Sequence, residues 1–451
     1  MIHTPEERFL QMTQEPVPKL VTSLAGPSIV SMLVSSLYNM ADTYFVGKID
    51  TQSIAAVGVV FSVMAVIQAF GYFFGHGSGN FISRRLGAQD TAQAERMAAT
   101  GFGCAFLTGT LFTVLGLIFL TPLSRLIGST PTILPYTEKY LRIILLGAPF
   151  MMSSLALNNQ IRFQGNALYG MYGIVTGTII NIILDPILIF ACDLGIAGAA
   201  LATVISQICS LIILLRMAHH GGNIPINLRK FTPKPAFLRE IIGGGSPSLV
   251  RQGMHSVSSI LLNTAAGVYG DAAIAGMSVV MRILGFINSF YIGFGQGFQP
   301  VCGFNYGAGL YGRVRKGFWF CVRVGLLFLT IVAILGYGYA EEAVGFFRKE
   351  DPMVILVGAA ALRWQLLTLP LNSFITISNM YLQTIRKPIH ATLLASARQG
   401  IFFIPLILIL PRLYGLTGVE ICQSVCDVLT FLLALPLTLS TLRSMGKERI
   451  E

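Results

Sequence analysis

The sequence predicts an all-α membrane protein of twelve transmembrane helices, built as two six-helix bundles related by a parallel repeat. Three observations predict this. The 451-residue chain is 54% hydrophobic and only 11% charged, against about 25% charged residues in a soluble domain. Apolar stretches of roughly 20 residues, the length that crosses a bilayer, recur from one end to the other. Residues 27–96 also align without a gap onto 247–316 when the chain is shifted by 220.

The spans are expected near 20–46, 54–76, 95–120, 136–158, 170–191, 196–216, 238–265, 272–298, 317–340, 356–382, 390–410 and 416–440. Several connections are short, so neighbouring helices run antiparallel. The 47 glycines suit close packing of membrane helices better than flexible loops. The leading MIHTPEERFLQMTQEPVPK is polar and acidic, with no basic flank or cleavage signal, and is expected to be retained. Six of the seven cysteines lie singly or on apolar runs. Cys422 and Cys426 share a helical face without a histidine at metal spacing, so all seven read as small buried residues.

The formal net charge of +11 is explained by topology. With the spans in place, nineteen Lys and Arg residues fall on one side, among them Arg84, Arg85, Arg162, Lys230 and Arg386, and six on the other. The positive-inside rule then puts both termini in the cytoplasm, under a cell membrane. No nucleic-acid partner is needed to account for the basic excess.

The repeat pairs Pro27 with Pro247, Gly75 with Gly295, Gly77 with Gly297, Gly87 with Gly307 and Ala88 with Ala308. Six spans per copy is an even number, so both copies enter the membrane in the same sense, about an axis along its normal. Residues 1–216 and 238–451 are the expected lobes. The polar, basic stretch 217–237, with Pro225, Pro233 and Pro235, joins them. Such repeats enclose a cavity, and rocking of the lobes gives alternating access.

The polar residues within spans carry the chemistry. Span 5 reads GTIINIILDPILIF over 177–190, with Asn181 one helical turn before Asp185. Span 1 carries Asp42. An ionised carboxylate in a span costs about 2.5–3.5 kcal/mol unless it faces a polar interior. The only arginine inside an N-terminal span is Arg142, near the outer end of span 4. Two carboxylates therefore share at most one fixed cation, and Na⁺ or H⁺ would supply the missing charge. Oxygen ligands suit a hard cation, and two close carboxylates equally well hold a proton. Pro186 would free a backbone carbonyl near Ile182 as a further ligand. The plainer reading has Asn181 and Asp185 hydrogen-bonding a neighbouring helix.

The C-terminal half places Arg251, Arg282, Arg323, Arg363 and Arg398 in or near spans, with acids Glu420 and Asp427 seven apart on span 12. They are read either as salt bridges among spans 10, 11 and 12, or with Asp427 or Glu420 meeting a cationic substrate in the cavity and His255, a further cavity candidate, relaying protons. Tyr38 and Asn39, one turn before Asp42, and Met64 are candidate cavity residues, since aromatic rings and methionines bind flat cations. Phe150, Met151 and Met152 are weaker candidates for the same role. His76 is read as a packing residue.

These features resemble the multidrug and toxic-compound extrusion (MATE) family of cation-coupled exporters over essentially the whole chain. SSLYNMADTYFVGKI looks like that family's Asp-containing first helix. The repeated Gly-x-Gly and Gly-Ala blocks look like its loops after spans 2 and 8, and IRFQGNA is similar to its fourth-to-fifth linker. The resemblance implies a cation site made of Asp42, Asn181, Asp185 and Thr203. Another subgroup uses carboxylates on spans 7 and 10, where this chain has His255 and Thr376, so a C-terminal sodium site is not implied. The implied activity is export of small, mostly cationic amphipathic drugs in antiport with Na⁺ or H⁺, by a monomer in the bilayer that needs no other cofactor. The alternative is a flippase for a lipid-linked saccharide or cell-wall precursor. Its cavity should be basic to hold pyrophosphate, and the acid pair argues against it. An enzyme is not expected, because no His-Glu-x-x-His, paired Asp or Gly-x-Ser-x-Gly motif is present.

Overall fold

The computed structural model describes residues 4–347 and 351–445, with the side chains of Asn39 and Met40 outside the description. Arg348, Lys349, Lys447 and Arg449, which enter the sidedness of charge, also lie outside the described residues. The described chain is helical, with no strand among the described residues.

Among the described residues, eleven helices are long and apolar enough to cross a membrane. They are α1 (Val17–Val46), α2 (Thr51–Gly87), α3 (Thr91–Ile118), α4 (Leu134–Phe163), α5 (Ala167–Ala191), α6 (Ile196–Met217), α8 (Asp271–Gly307), α9 (Tyr311–Gly338), α10 (Pro352–Thr384), α11 (Pro388–Tyr414) and α12 (Leu416–Ser444). The remaining expected span, 238–265, lies within α7 (Pro235–Gly267), an unbroken helix of 33 residues. It has the length but too little apolar character, because it carries Arg239, Glu240, Arg251 and His255. Several of its polar groups find protein partners. Glu240 pairs with Arg84 and Arg386, Ser248 meets His76, and Arg251 donates to Asn379. A helix partnered in this way needs less apolar surface than one facing lipid.

Other helices overrun the sequence windows for the same reason. Helix α2 continues past the expected end at 76 to Gly87, and α4 past 158 to Phe163. A hydropathy window stops at the first polar cluster, whereas His76, Asn80, Arg84 and Arg162 are all buried against other helices. Two prolines break the regular geometry, since proline lacks the N–H and crowds the preceding turn. Pro186 is followed by a π-helical turn over Ile187–Ala191, and Pro370 sits in a 3₁₀ turn within α10. The π turn puts a wide coil just beyond Asp185.

The repeat is visible in space as well as in sequence. Helix α1 packs along α8, and α2 packs along α7. Exchanging the two copies swaps these pairs. Between them α2 crosses α8. A Cβ on Gly87 would sit 2.1 Å from the Phe304 carbonyl oxygen, and one on Gly307 would sit 2.0 Å from that of Arg84. Gly87 and Gly307 are repeat mates, and so are positions 84 and 304. The contact therefore maps onto itself, and the crossing lies on the pseudo-twofold axis. Only glycine permits this approach.

The end of the bundle that holds this crossing is closed. Glu240 of α7 binds Arg84 of α2 at 2.8 Å and Arg386 of the α10–α11 turn at 2.5 Å. A short leading helix, Pro5–Gln14, starts with a Thr4/Glu7 capping box and lies across both halves. Its Arg8 donates to the carbonyls of Gln164 and Gly221, while the Met12 and Glu15 carbonyls accept from Asn305 and Arg313. The strap thus ties the α4–α5 turn and the central connection to α8 and α9.

Gly87→Ala is expected to overpack this crossing by about 1–3 kcal/mol. Spin labels at Gln89 and Leu310 should move apart in the variant and the melting temperature should fall. Unchanged distance and stability would show that the crossing tolerates a methyl group.

Candidate functional site

Helices α1, α5 and α6 bring Asp42, Asn181, Asp185 and Thr203 into one buried place. Asp42 is 8% exposed and the other three 0%. Asn181 and Asp185 share a face of α5, and the Asn181 amide donates to Asp185 Oδ1 at 3.4 Å. Tyr38, one turn before Asp42 on α1, reaches Thr203 of α6, hydroxyl to hydroxyl, at 3.4 Å. Asp42 and Asp185 are close enough to act on each other electrostatically, and both act on Tyr38 and Tyr140. Three oxygens in this group have no hydrogen-bond partner: Asp42 Oδ1, Asn181 Oδ1 and Asp185 Oδ2. Arg142, the one cation that span composition offered, lies exposed on α4. No Lys or Arg pairs with either carboxylate among the described residues. A set of buried, unsatisfied oxygens is what a proton or a hard cation would complete.

Tyr140 belongs to this group and was not singled out from the sequence. It is fully buried on α4, within the electrostatic reach of both acids and in hydrogen-bonding range of Thr203. Its hydroxyl also donates to Met64 Sδ at 4.0 Å. The only signal in TEKYLRIILL was an aromatic residue with a polar tip inside a span, and that pattern is usually an interfacial anchor. Met64, expected in the cavity, packs behind Tyr140 and is not among the residues that line it.

The cavity lies among α1, α2, α4, α5 and α6 and is closed on one side by Gln296 of α8. Its wall is polar but largely uncharged, with Ser31, Gln68, Tyr72, Asn158, Ser206 and Gln207 beside Met32, Met151 and Met171. Arg162 is the one charged residue on it. Expected among the inner-surface charges, Arg162 is instead 4% exposed, held by Asn159, His76, Gln296 and Gln299. His76 is correspondingly more than packing, since its two ring nitrogens face Arg162 and Ser248. Tyr38 belongs to both the cavity and the acid group, lining one and touching Thr203 of the other. Ser206 also lines the cavity while donating to the Thr203 carbonyl at 2.7 Å. Whatever occupies the cavity therefore shares a wall with the acid group.

The other expected cavity residues fall elsewhere. The Asn39 side chain lies outside the described residues. His255 is exposed on α7 and does not line the cavity. Asp427, expected to face substrate, is 2% exposed and takes four hydrogen bonds from three residues. Arg398 Nε and Nη2 of α11 reach its oxygens at 2.7 and 3.3 Å, Asn372 of α10 donates at 3.2 Å, and Gln423 at 3.0 Å. This is the salt-bridge reading of spans 10 to 12. A carboxylate so occupied has little left to offer a ligand.

Fold and site together define a multi-span membrane protein of two repeated helical lobes, with a polar cavity and a buried acid group in the first. The family model MatE matches residues 27–187 and again 247–409, two copies that begin at the repeat mates Pro27 and Pro247. The chain belongs to this multidrug and toxic-compound extrusion family. It is 28% identical over 433 residues to the "Multidrug export protein MepA" of Staphylococcus haemolyticus, covering 94% of each chain, and 27% identical over 436 residues to that of Staphylococcus aureus strain MRSA252, covering 95% of this chain and 96% of that one. Among solved structures, "MATE in the bent conformation" superposes with a TM-score of 0.92 at 24% identity, covering 98% of this chain and 99% of that one. A Pyrococcus furiosus transporter, described under "Reverse polarity of binding pocket suggests different function", superposes with a TM-score of 0.90 at 24% identity, covering 97% of this chain and 98% of that one. At these identities the structural likeness speaks to fold.

Arg398→Leu is expected to strand a buried carboxylate and destabilise the protein by about 3–5 kcal/mol. The double variant Arg398→Leu with Asp427→Leu should recover most of that loss in thermal unfolding. Equal instability of single and double variants would deny the pair its structural role.

Proposed function

We propose that the protein is a secondary active exporter of small, mostly cationic amphipathic compounds, driven by inward movement of Na⁺ or H⁺. The observation that carries this reading is the trio of orphaned oxygens on Asp42, Asn181 and Asp185, buried beside Thr203 with no fixed counter-charge among the described residues. An ion arriving there would satisfy them and an ion leaving would strand them. That difference drives a change of shape only if the site is coupled to the cavity, and Tyr38 and Ser206 supply the coupling. The multidrug-export names of the staphylococcal relatives support the substrate class.

In this reading residues 1–216 and 238–451 are the rocking lobes and 217–237 is their joint. The protein lies in the cell membrane as a monomer with both termini cytoplasmic, where the excess of Lys and Arg places them. The closed end of the structure is then the cytoplasmic end. The glycine crossing and the Arg84–Glu240–Arg386 cluster form its seal, and they must part when the cavity opens inward. Pro186 and the π turn after it give α5 a place to bend as the ion comes and goes.

Asp42→Asn and Asp185→Asn are each expected to abolish ion-driven ethidium efflux in everted vesicles while leaving expression and folding intact. Full efflux by both variants would remove the acid group from the mechanism. Proteoliposomes given a sodium gradient or a proton gradient separately should show dye movement with one of them and no ATP. Movement with neither would turn the reading toward lipid-linked substrates. Tyr38→Phe, which deletes the hydroxyl shared by cavity and acid group, is expected to cost about 0.5–1.5 kcal/mol, read as a two- to tenfold slower ion-driven efflux with dye binding retained. Undiminished efflux would place the coupling elsewhere.

A further inference from the structure

At the end of the cavity away from the acid group, the charge is reversed. Arg162 Nη1 donates to the Gln296 carbonyl at 3.1 Å and to Gln299 Oε1 at 3.2 Å; Nη2 donates to Asn159 Oδ1 at 2.6 Å and meets His76 Nε2 at 3.3 Å. A guanidinium only donates, so Nε2 accepts, and the ring proton sits on Nδ1, facing Ser248 Oγ at 3.0 Å. His76 is thereby a neutral acceptor. Arg251 of α7 donates to Asn379 Oδ1 at 3.3 Å, and it acts electrostatically on the same Tyr72 and His76 as Arg162. Every acceptor in this cluster is neutral. Among the described residues, neither guanidinium pairs with a carboxylate. Arginine does not shed its proton in a protein, so two positive charges, Arg162 buried and Arg251 half-buried, are held by dipoles alone. Removing charge from water without a counter-charge is costly, and an anion delivered through the cavity would relieve that cost.

We propose that Arg162, reinforced by Arg251, is an anion subsite of the cavity, which accepts the carboxylate of a zwitterionic or anionic compound. The inference rests on the export reading of the cavity and assigns one end of it to the acid of its substrate. The cavity then has two poles. A zwitterion lies along it with its acid at Arg162 and its cationic part toward Tyr38 and the acid group. The Gln296 carbonyl and Gln299 reach Arg162 from α8, across the boundary between the lobes. They hold Nη1 only while this end is closed. Parting of the lobes withdraws both and exposes the edge of the guanidinium that binds a carboxylate in bidentate fashion. Closure returns the neutral acceptors and displaces the acid, so loading and release follow the same motion as access.

The test uses two probes that differ only at the acid: rhodamine B, a zwitterion with a free carboxylate, and its ethyl ester, a cation. Fluorescence polarisation with the purified full-length protein is expected to show that Arg162→Gln weakens rhodamine B binding by about tenfold or more and leaves the ester unchanged. Arg251→Gln should act in the same direction to a smaller extent, and Arg162→Lys should retain most of the acid's affinity. Equal loss for both probes, or no loss for either, would overturn the subsite and leave Arg162 a purely structural tie. Should Arg162→Gln fail to fold, the acid-to-ester affinity ratio of Arg251→Gln decides the matter. Gradient-driven transport of the ester by the wild type separates the two levels of the argument. If the ester is not moved, the export reading itself fails. If it is moved while the ratio is indifferent to both variants, only the subsite falls.

Discussion

A charge taken into the bilayer must be neutralised, and most of this structure follows from how that requirement is met at each buried ionisable group. Where a fixed partner exists, the group becomes part of the frame. Where none exists, its oxygens are left unsatisfied. Asp427, clasped by Arg398, Asn372 and Gln423, is of the first kind. Asp42 and Asp185, with unsatisfied oxygens and no basic partner among the described residues, are of the second.

The two halves of the repeat thus share a fold but differ in how their buried acids are treated. In the C-terminal half an arginine on α11 stands against the acid on α12 and locks it. In the N-terminal half asparagine, threonine and tyrosine stand around the acids, and these groups can ligand an ion but cannot replace one. Helix packing cannot distinguish the two outcomes, because both sites are equally buried. One guanidinium separates an acid with a fixed partner from a pair without one.

The interface between the halves obeys a different rule. Where α2 crosses α8 on the pseudo-twofold axis, backbone approaches backbone, and the symmetry is exact enough in register that Gly87 and Gly307 make the same contact in turn. Around this contact the polar groups of α7, α2 and α4 pair across the boundary, including Glu240 with Arg84 and Arg162 with Gln296 and Gln299. Hydrogen bonds and ion pairs of this kind can be exchanged for water at lower cost than a greasy interface could be exposed.

The sequence by itself determined the all-helical membrane fold, the parallel repeat and the presence of Asp42, Asn181 and Asp185 inside apolar spans, because these rest on composition, periodicity and spacing along one chain; Thr203 entered only through the family resemblance. Asn181 and Asp185 share a face whatever lies opposite, and an acid in an apolar stretch announces its cost without a structure. Tertiary structure alone decided what stands opposite. It put Tyr140 beside the acids and Met64 behind it, turned Asp427 into a salt bridge, and drew Arg162 from the expected inner surface to the cavity wall. It also supplied the polar groups of α7, the least apolar of the expected spans, with their partners on other helices. Each of these depends on which distant side chain meets which, and local pattern holds no information on that until the helices are packed.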